Sequence, residues 1–396
     1  MNQTEMRMPD TGKRPSVSVV LGVRNEYPTV LGTIYSFIEE LEFWGYPWEM
    51  IVVDNMSDDN TAPVLRDKFR RWIRDGSLKV IEYNEKPANV TVRNVGVREA
   101  TGDVVFMADG HLSIATGTCH GMIQGWLARG GLWHSAIQIW GDTRDIKCYG
   151  YDLKLVERFW GNLSRGVPEE IQVAPNKNRK MADARPKVPF YRVPMASHCC
   201  LMAGREQFLE FGGYSEEFKC YGGGEPYLDL LWWLMGSEVF IYADGLVRHA
   251  FGVNPRWEKI PEKRKEPKRV RNLVMLKDGS FSNSLKPGVE YLRYGRGYSW
   301  TNDWFQFNFM LSAYLIGGYD WLQQRYGVYY EGRKGNPRYV EDIKSMRRDI
   351  LKDGAEGRLF IAKNSKLTLS DLLGHDQANN PVAHTGSNPW CKFDDL

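Results

Sequence analysis

The stretch VVFMADGHLS, residues 104–113, ends an apolar run on Asp109, Gly110 and His111. A carboxylate and an imidazole one residue apart can reach the same ion when the intervening residue turns the chain. Such a pair leaves coordination positions open for diphosphate oxygens and water. The chemistry on offer is a metal–diphosphate clamp. The same three residues also fit a second reading, in which Asp109 caps the helix that follows and His111 is an ordinary polar loop residue.

The elements that must carry these residues are legible around them. SVSVVLGV (16–23), EMIVVDN (49–55), LKVIEYN (78–84) and GDVVFMADG (102–110) are short β-branched runs that end on polar or turn-forming residues, as buried parallel strands do. Between them, Val30, Leu31, Ile34, Phe37, Ile38 and Leu41 recur at helical spacing, and NVTVRNVGVREA repeats the pattern before the fourth strand. The alternation βαβα predicts an α/β fold with an open sheet covered on both faces. Ligands of such sheets bind beyond the C-terminal strand ends. That edge receives Gly22, Arg24, Asn25 and Glu26 from the first strand, then Asp54 and Asn55 with Ser57, Asp58 and Asp59 from the second, and Asp109 with His111 from the fourth. Neither a G-x-G-x-x-G turn nor a G-x-x-x-x-G-K-[ST] loop follows the first strand, so a phosphate site here needs another source of positive charge, for which a divalent cation is the natural candidate.

The order RNE, VDN.SDD, a helix carrying Arg93, then VVFMADGH resembles the nucleotide half of a GT-A glycosyltransferase. Family-2-like enzymes share this plan but usually carry Asp-x-Asp. The Asp-x-His form resembles the polypeptide N-acetylgalactosaminyltransferases. The likeness continues over residues 193–252, through Pro194-Met195-Ala196, Gly213-Tyr214, Gly223-Gly224-Glu225 and His249-Ala250-Phe251, and covers residues 16–252 in all. It implies a Rossmann-like GT-A domain with a mostly parallel central sheet and helices on both faces. It further implies an ion held by Asp109, His111 and His249 together with the donor diphosphate. Manganese, or else magnesium, is the metal so implied, with a UDP-linked sugar as donor. Asp54 would meet the nucleoside and Arg93 the nucleotide or sugar, with Gly22, Arg24, Asn25 and Glu26 beside the same donor.

Departures from the family pattern narrow the expected reaction. Inverting family-2 enzymes commonly place a base in a Glu-Asp pair, where this chain reads Glu225-Pro226. The missing carboxylate favours a retaining route in which the leaving phosphate accepts the acceptor proton. Glu225 would orient the sugar, and Asp229, one helical turn on, would face the same side as a second polar contact. A solvated helix charge at Asp229 and a dipole-favoured carboxylate at Glu225 are the plainer readings. Tyr221-Gly222 stands where that family usually has a tryptophan, which leaves the sugar open. An inverting polysaccharide-synthesis enzyme and a non-catalytic carbohydrate- or nucleic-acid-binding protein on the same fold are the alternatives. A sugar nucleotidyltransferase needs a glycine-rich basic loop that GVRNEYPTV does not supply.

Over the whole chain the formal net charge is +3, too mild to mark a polyanion-binding protein, so any such role must come from local clustering. NPRWEKIPEKRKEPKRVRNL (254–273) is such a cluster, and a basic segment here would close on the diphosphate, track an anionic acceptor such as nucleic acid, a teichoic-type polymer or lipid head groups, or be solvated surface; the acceptor expected is a hydroxylated base in DNA or else a glycan or protein. The expected organisation is a polar tail (1–15), a catalytic domain (16–255, with a nucleotide half at 16–111 and an acceptor half at 112–255) and a basic mobile loop (256–286). An aromatic-rich, mainly helical extension (287–374) and a second polar tail (375–396) complete it; in the extension Trp304, Phe307, Leu311 and Leu315 mark a helix packing back on the domain. No apolar run approaches the roughly 20 residues of a membrane helix. The N-terminus has no signal-peptide core, and the six cysteines form no disulfide framework, which points to a cytoplasmic protein without an anchor or lectin-like domain.

Overall fold

The computed structural model describes residues 10–57, 59–85, 90–139, 147–148, 151–153, 163–165, 189–193, 195–218, 222–250, 269–275, 281–284, 303–331, 346–368 and 371. Strands β1 (Val17–Val23), β2 (Trp48–Asp54), β3 (Leu78–Glu82) and β4 (Val104–Asp109) are the four runs read from the sequence. They are joined by α1 (Thr29–Phe43), then α2 (Thr61–Lys68) with α3 (Arg70–Asp75), and α4 (Thr91–Glu99). The helices α2 and α3 were not legible in the hydrophobic pattern. After β5 (Leu112–Ile114) and α5 (Thr118–Arg129) come β6 (Leu132–Ile139), β7 (Lys147–Cys148), β8 (Tyr151–Leu153), β9 (Leu163–Arg165), β10 (Phe190–Arg192) and β11 (Cys200–Gly204). Then follow α6 (Arg205–Glu210), α7 (Gly224–Leu234) and β12 (Val239–His249).

The main sheet runs β10-β12-β6-β11-β4-β1-β2-β3, with β5 on β12 and β7 on β6. β4, β1, β2 and β3 are parallel neighbours, and β12 is parallel to β6, while β11 enters antiparallel between β4 and β6. Alternation along the buried strands divides the core in two. Val19, Leu21, Met50, Val52, Val104 and Phe106 face α1 and α5, whereas Val20, Ile51, Val53, Val105 and Met107 face the side of α4, α6 and α7. Burial on both faces is why these strands read as unbroken apolar runs. Glu40 of α1 ties one layer together: its buried carboxylate accepts from the backbone amides of Gly117, Cys119 and His120, the otherwise unpaired donors at the start of α5.

Beyond the sheet lie β13 (Arg269–Met275), β14 (Phe281–Ser284), α8 (Asp303–Glu331), α9 (346–353) and α10 (Ala355–Asn364). β13 and β14 pair antiparallel, so the segment expected to be a loop over 256–286 contains a two-stranded element. Its residues 256–268, the expected boundaries near 255, 286 and 374, and the aromatic residues 287–302 lie outside the described residues. Phe307, Leu311 and Leu315 of α8 are fully buried and join the core cluster that contains α7, which gives the helix expected from their spacing its packing surface. Among the described residues no helix is long and apolar enough to cross a membrane.

Candidate active site

Register across the sheet aligns the strand ends. Gly22 lies opposite Asp109 on one side and Val53 on the other, and Val23 lies opposite Asp54. Chemistry-bearing residues from β1, β2 and β4 therefore emerge along one edge. Gly110 makes the turn after β4 possible: a Cβ there would sit 2.8 Å from Val23 Cγ1 and 3.1 Å from Glu26 Cγ. With no side chain in the way, Asp109 and His111 fold back against the end of β1.

β12 brings the third member. His249, its last residue, pairs with Leu112 of β5, which follows His111 directly. One ligand atom from each of Asp109, His111 and His249 lies within 4.8 Å of the others, and the His111 and His249 rings meet edge-on with centroids 4.5 Å apart. Asp109 Oδ2 and His249 Nε2 are 3.0 Å apart. Two donors each about 2.1 Å from one ion at right angles would sit about 3.0 Å apart, so the pair suits a shared cation. One carboxylate with two imidazoles is a donor set for a borderline first-row ion rather than for calcium or magnesium. His111 Nδ1 lies 2.9 Å from Glu26 Oε2, close enough for an ion pair when the imidazole is protonated.

Behind the cluster Arg93 of α4, almost fully buried, donates from Nη2 to Asp109 Oδ1 at 2.7 Å, while Asp109 keeps 27% of its side chain exposed. Burial alone would push the Asp109 carboxyl up, but the hydrogen bond from His249 and the Arg93 charge outweigh it and hold it well below the usual carboxylate range. Asp109 is thus favoured in its anionic form, the form that an ion ligand would need.

Asp54 is buried at the end of β2 and accepts from the Ser57 amide at 3.1 Å; burial raises its carboxyl above the ordinary value. Beside it opens a crevice of about 220 Å³ lined also by Ser57, Asn60, Glu82 and Asn84. None of the Asp109 cluster lines that crevice, so Asp54 and the cluster form two neighbouring stations on one edge. Asn25, in the left-handed backbone region at φ 56°, donates its amide to Ser57 Oγ, and Arg24 Nε donates to the Met56 carbonyl at 3.4 Å. These contacts lock the turn after β1 to the turn after β2.

On the other side, Glu225 in the first turn of α7 is half-buried and accepts from the His198 amide at 3.2 Å and the Ser197 hydroxyl at 3.5 Å. Asp229 does share its side of the helix, but it is not the open sugar contact expected from the spacing. One turn deeper, it is fully buried, accepting from the Ala196 amide at 2.7 Å with His198 Nε2 at 2.9 Å and His134 Nε2 at 3.2 Å. Sequence reasoning missed His134, His198 and the hydroxyl of Tyr214 altogether. His134 and His198 fit no motif spacing, and Tyr214 entered only as part of the Gly213-Tyr214 turn; Cys199 and Cys200, next to His198, are buried free thiols.

Residues 18–147 match the family described as Glycosyl transferase family 2. N-acetylgalactosaminyltransferase 7 of Drosophila melanogaster is 26% identical over 261 residues, covering 64% of this chain and 42% of that protein. Polypeptide N-acetylgalactosaminyltransferase 8 of the same organism is 26% identical over 242 residues, covering 60% of this chain and 38% of that one. The chain thus spans less than half the length of these curated relatives. A crystal structure of GalNAc-T7 with UDP, GalNAc and Mn2+ shares the fold with a TM-score of 0.54 at 16% identity, over 86% of this chain and 56% of that one. The resemblances read from the motif order are borne out: residues 18–147 match the glycosyl transferase family 2 model, the curated relatives are N-acetylgalactosaminyltransferases, and the fold is GT-A-like.

Proposed function

We propose that the protein transfers a glycosyl group from a UDP-sugar to an acceptor hydroxyl, with retention at the anomeric carbon, using a divalent ion, manganese by preference, at Asp109, His111 and His249. The observation that carries this reading is the convergence of those three ligand atoms within 4.8 Å at the strand edge. The family-2 match and the UDP and Mn2+ in the GalNAc-T7 structure agree with it. When bound, the ion supplies charge stabilisation to the departing diphosphate.

The chain's own residues supply the rest. Asp109 stays ionised and is held in one orientation by Arg93, whose buried guanidinium also adds positive charge on the diphosphate side. Asp54 and the crevice beside it receive the nucleoside, in the turn that Arg24, Asn25 and Ser57 hold together. No second acid follows Glu225 directly, because the next residue is Pro226, and the following acid on α7, Asp229, is sealed between two histidines. With no general base at either place, retention is favoured: the C–O bond to the leaving phosphate breaks, the acceptor oxygen bonds to the anomeric carbon, and its proton passes to that phosphate. Glu225, held by His198 and Ser197, orients the sugar. The acceptor proposal, a polyanion such as hydroxylated DNA, rests on the basic run at 256–271.

The test is calorimetric titration of the full chain with UDP in manganese and in EDTA, for wild type and His249→Ala. Binding that needs manganese and weakens by at least about tenfold in His249→Ala is expected. Equal UDP affinity in all four cases would remove the cluster from the donor site.

A further inference from the structure

Behind Asp109 runs a chain of buried polar side chains that the transfer reaction does not itself use. Arg93 Nη1 donates to the Tyr214 hydroxyl at 3.4 Å, and that hydroxyl lies 2.7 Å from His198 Nδ1. His198 Nε2 is 2.9 Å from Asp229 Oδ1, which His134 Nε2 also approaches at 3.2 Å, while Asp229 Oδ2 accepts from the Ala196 amide. Tyr214, His134 and Asp229 are fully buried, and His198 is 3% exposed.

The donors fix the direction of this chain. A guanidinium has only donors, so the Tyr214 oxygen accepts from Arg93, and the arrangement that leaves no hydrogen without an acceptor has Tyr214 donating to His198 Nδ1. His198 then carries its hydrogen on Nε2 and gives it to Asp229. Every link is satisfied in one sense, from Arg93 to Asp229. The trio His134, His198 and Asp229 also offers three ligand atoms within 4.8 Å, as a buried ion would require. Coordination would need His198 Nε2 bare and the hydrogen on Nδ1; the Tyr214 oxygen would then receive two donors, and its own hydrogen would lose its acceptor. Hydrogen bonding therefore accounts for the trio better than an ion does.

The far end of the chain reaches the sugar side. Ala196 donates to Asp229 and His198 donates its amide to Glu225, so the segment 196–198 is tied to α7 at both acids, one turn apart. We propose that Asp229, His198 and Tyr214 are positioning residues: a buried relay that holds Arg93 against Asp109 and fixes that carboxylate relative to Glu225. The proposal rests on the reading of Asp109 as an ion ligand. A buried arginine with two partners on different nitrogens has one favourable orientation. Removing the Tyr214 hydroxyl leaves the guanidinium bound to Asp109 alone, and the two can then shift together away from the ligand position.

The experiment is calorimetry of manganese binding to the full chain in saturating UDP, with thermal unfolding in parallel. Tyr214→Phe is expected to weaken manganese binding by about tenfold, as loss of an outer-shell partner does. Tyr227→Phe, which removes another buried hydroxyl from the same core cluster but not from the relay, is expected to leave it within about twofold. His198→Gln keeps a donor for Asp229 while breaking the link to Tyr214, so it should match Tyr214→Phe, and the double variant should be no weaker than either, as links in series require. Undiminished manganese binding in Tyr214→Phe, with wild type binding normally, overturns the relay alone. Absence of manganese binding in wild type overturns the functional reading and the relay with it. A second bound metal equivalent in wild type that His198→Gln removes, by elemental analysis, also overturns the relay in favour of a buried ion.

Discussion

Gly110 is where a single atom decides the candidate site. Asp109 and His111 can face one ion only because nothing projects from the residue between them; Val23 and Glu26 occupy the space a side chain would need. Glu26 in turn stands 2.9 Å from His111 Nδ1, so a displaced Glu26 disturbs a proposed ligand directly. Gly110→Ala is expected to cost about 1–3 kcal/mol of stability through overpacking, measured by urea denaturation. It should also abolish most manganese-dependent UDP binding, whereas a change of stability with full binding would show that the turn tolerates the methyl group. The contrast with Glu225 and Asp229 is instructive. Two acids at helical spacing look alike in sequence, yet one is half-buried beside backbone donors and the other is enclosed by imidazoles.

Among the elements, α8 shows how the C-terminal part supports the sheet domain. Ser312 donates to the Gly223 carbonyl at 2.7 Å, at the residue that caps α7, so α8 braces the turn from which Glu225 emerges. The helix breaks at Gly318, which adopts φ 77° and ψ −160°, and the Arg358 guanidinium of α10 donates to the Leu315 and Ile316 carbonyls just before the break at 2.9 and 3.0 Å. A break frees carbonyls from the helical ladder, and here a side chain from a neighbouring helix takes them up. Gly318→Ala forces an L-residue into a positive-φ, extended conformation open essentially to glycine alone and should cost about 1–3 kcal/mol in thermal or urea unfolding. An unchanged midpoint would mean that the helix can straighten without losing its packing on α7.

For the molecule as a whole, loss of stability in acid follows from two carboxyls that are lowered on folding, Asp229 and Asp109. At Asp229 burial pushes the carboxyl up, but His198 and His134 outweigh it and lower it from 3.8 to about 2; at Asp109 His249 and Arg93 act in the same direction. A carboxyl lowered on folding binds its proton less tightly in the native state than in the unfolded chain. Its stabilisation is therefore complete above the unfolded value and is lost as pH falls through the folded one. The urea midpoint should drop between about pH 4 and about pH 2, and Asp229→Asn should make that drop shallower; an identical slope would remove Asp229 from the acid transition. The parallel strands, α1, α4 and the strand-edge position of Asp54, Asp109 and His111 were all legible in the sequence, because burial on both sheet faces and helical periodicity leave local, regular signals. The pairing of His249 with the strand beside His111, over more than a hundred residues, was reached through motif order, and its geometry came from β12 and β5. The enclosure of Asp229 and the path from Arg93 through Tyr214 to His198 left no trace in spacing. Hydrogen-bond partners are selected by distance in space, and the insertion of β11 between β4 and β6, with α7 packed against β12 on the face that holds α4 and α6, brings those residues within reach.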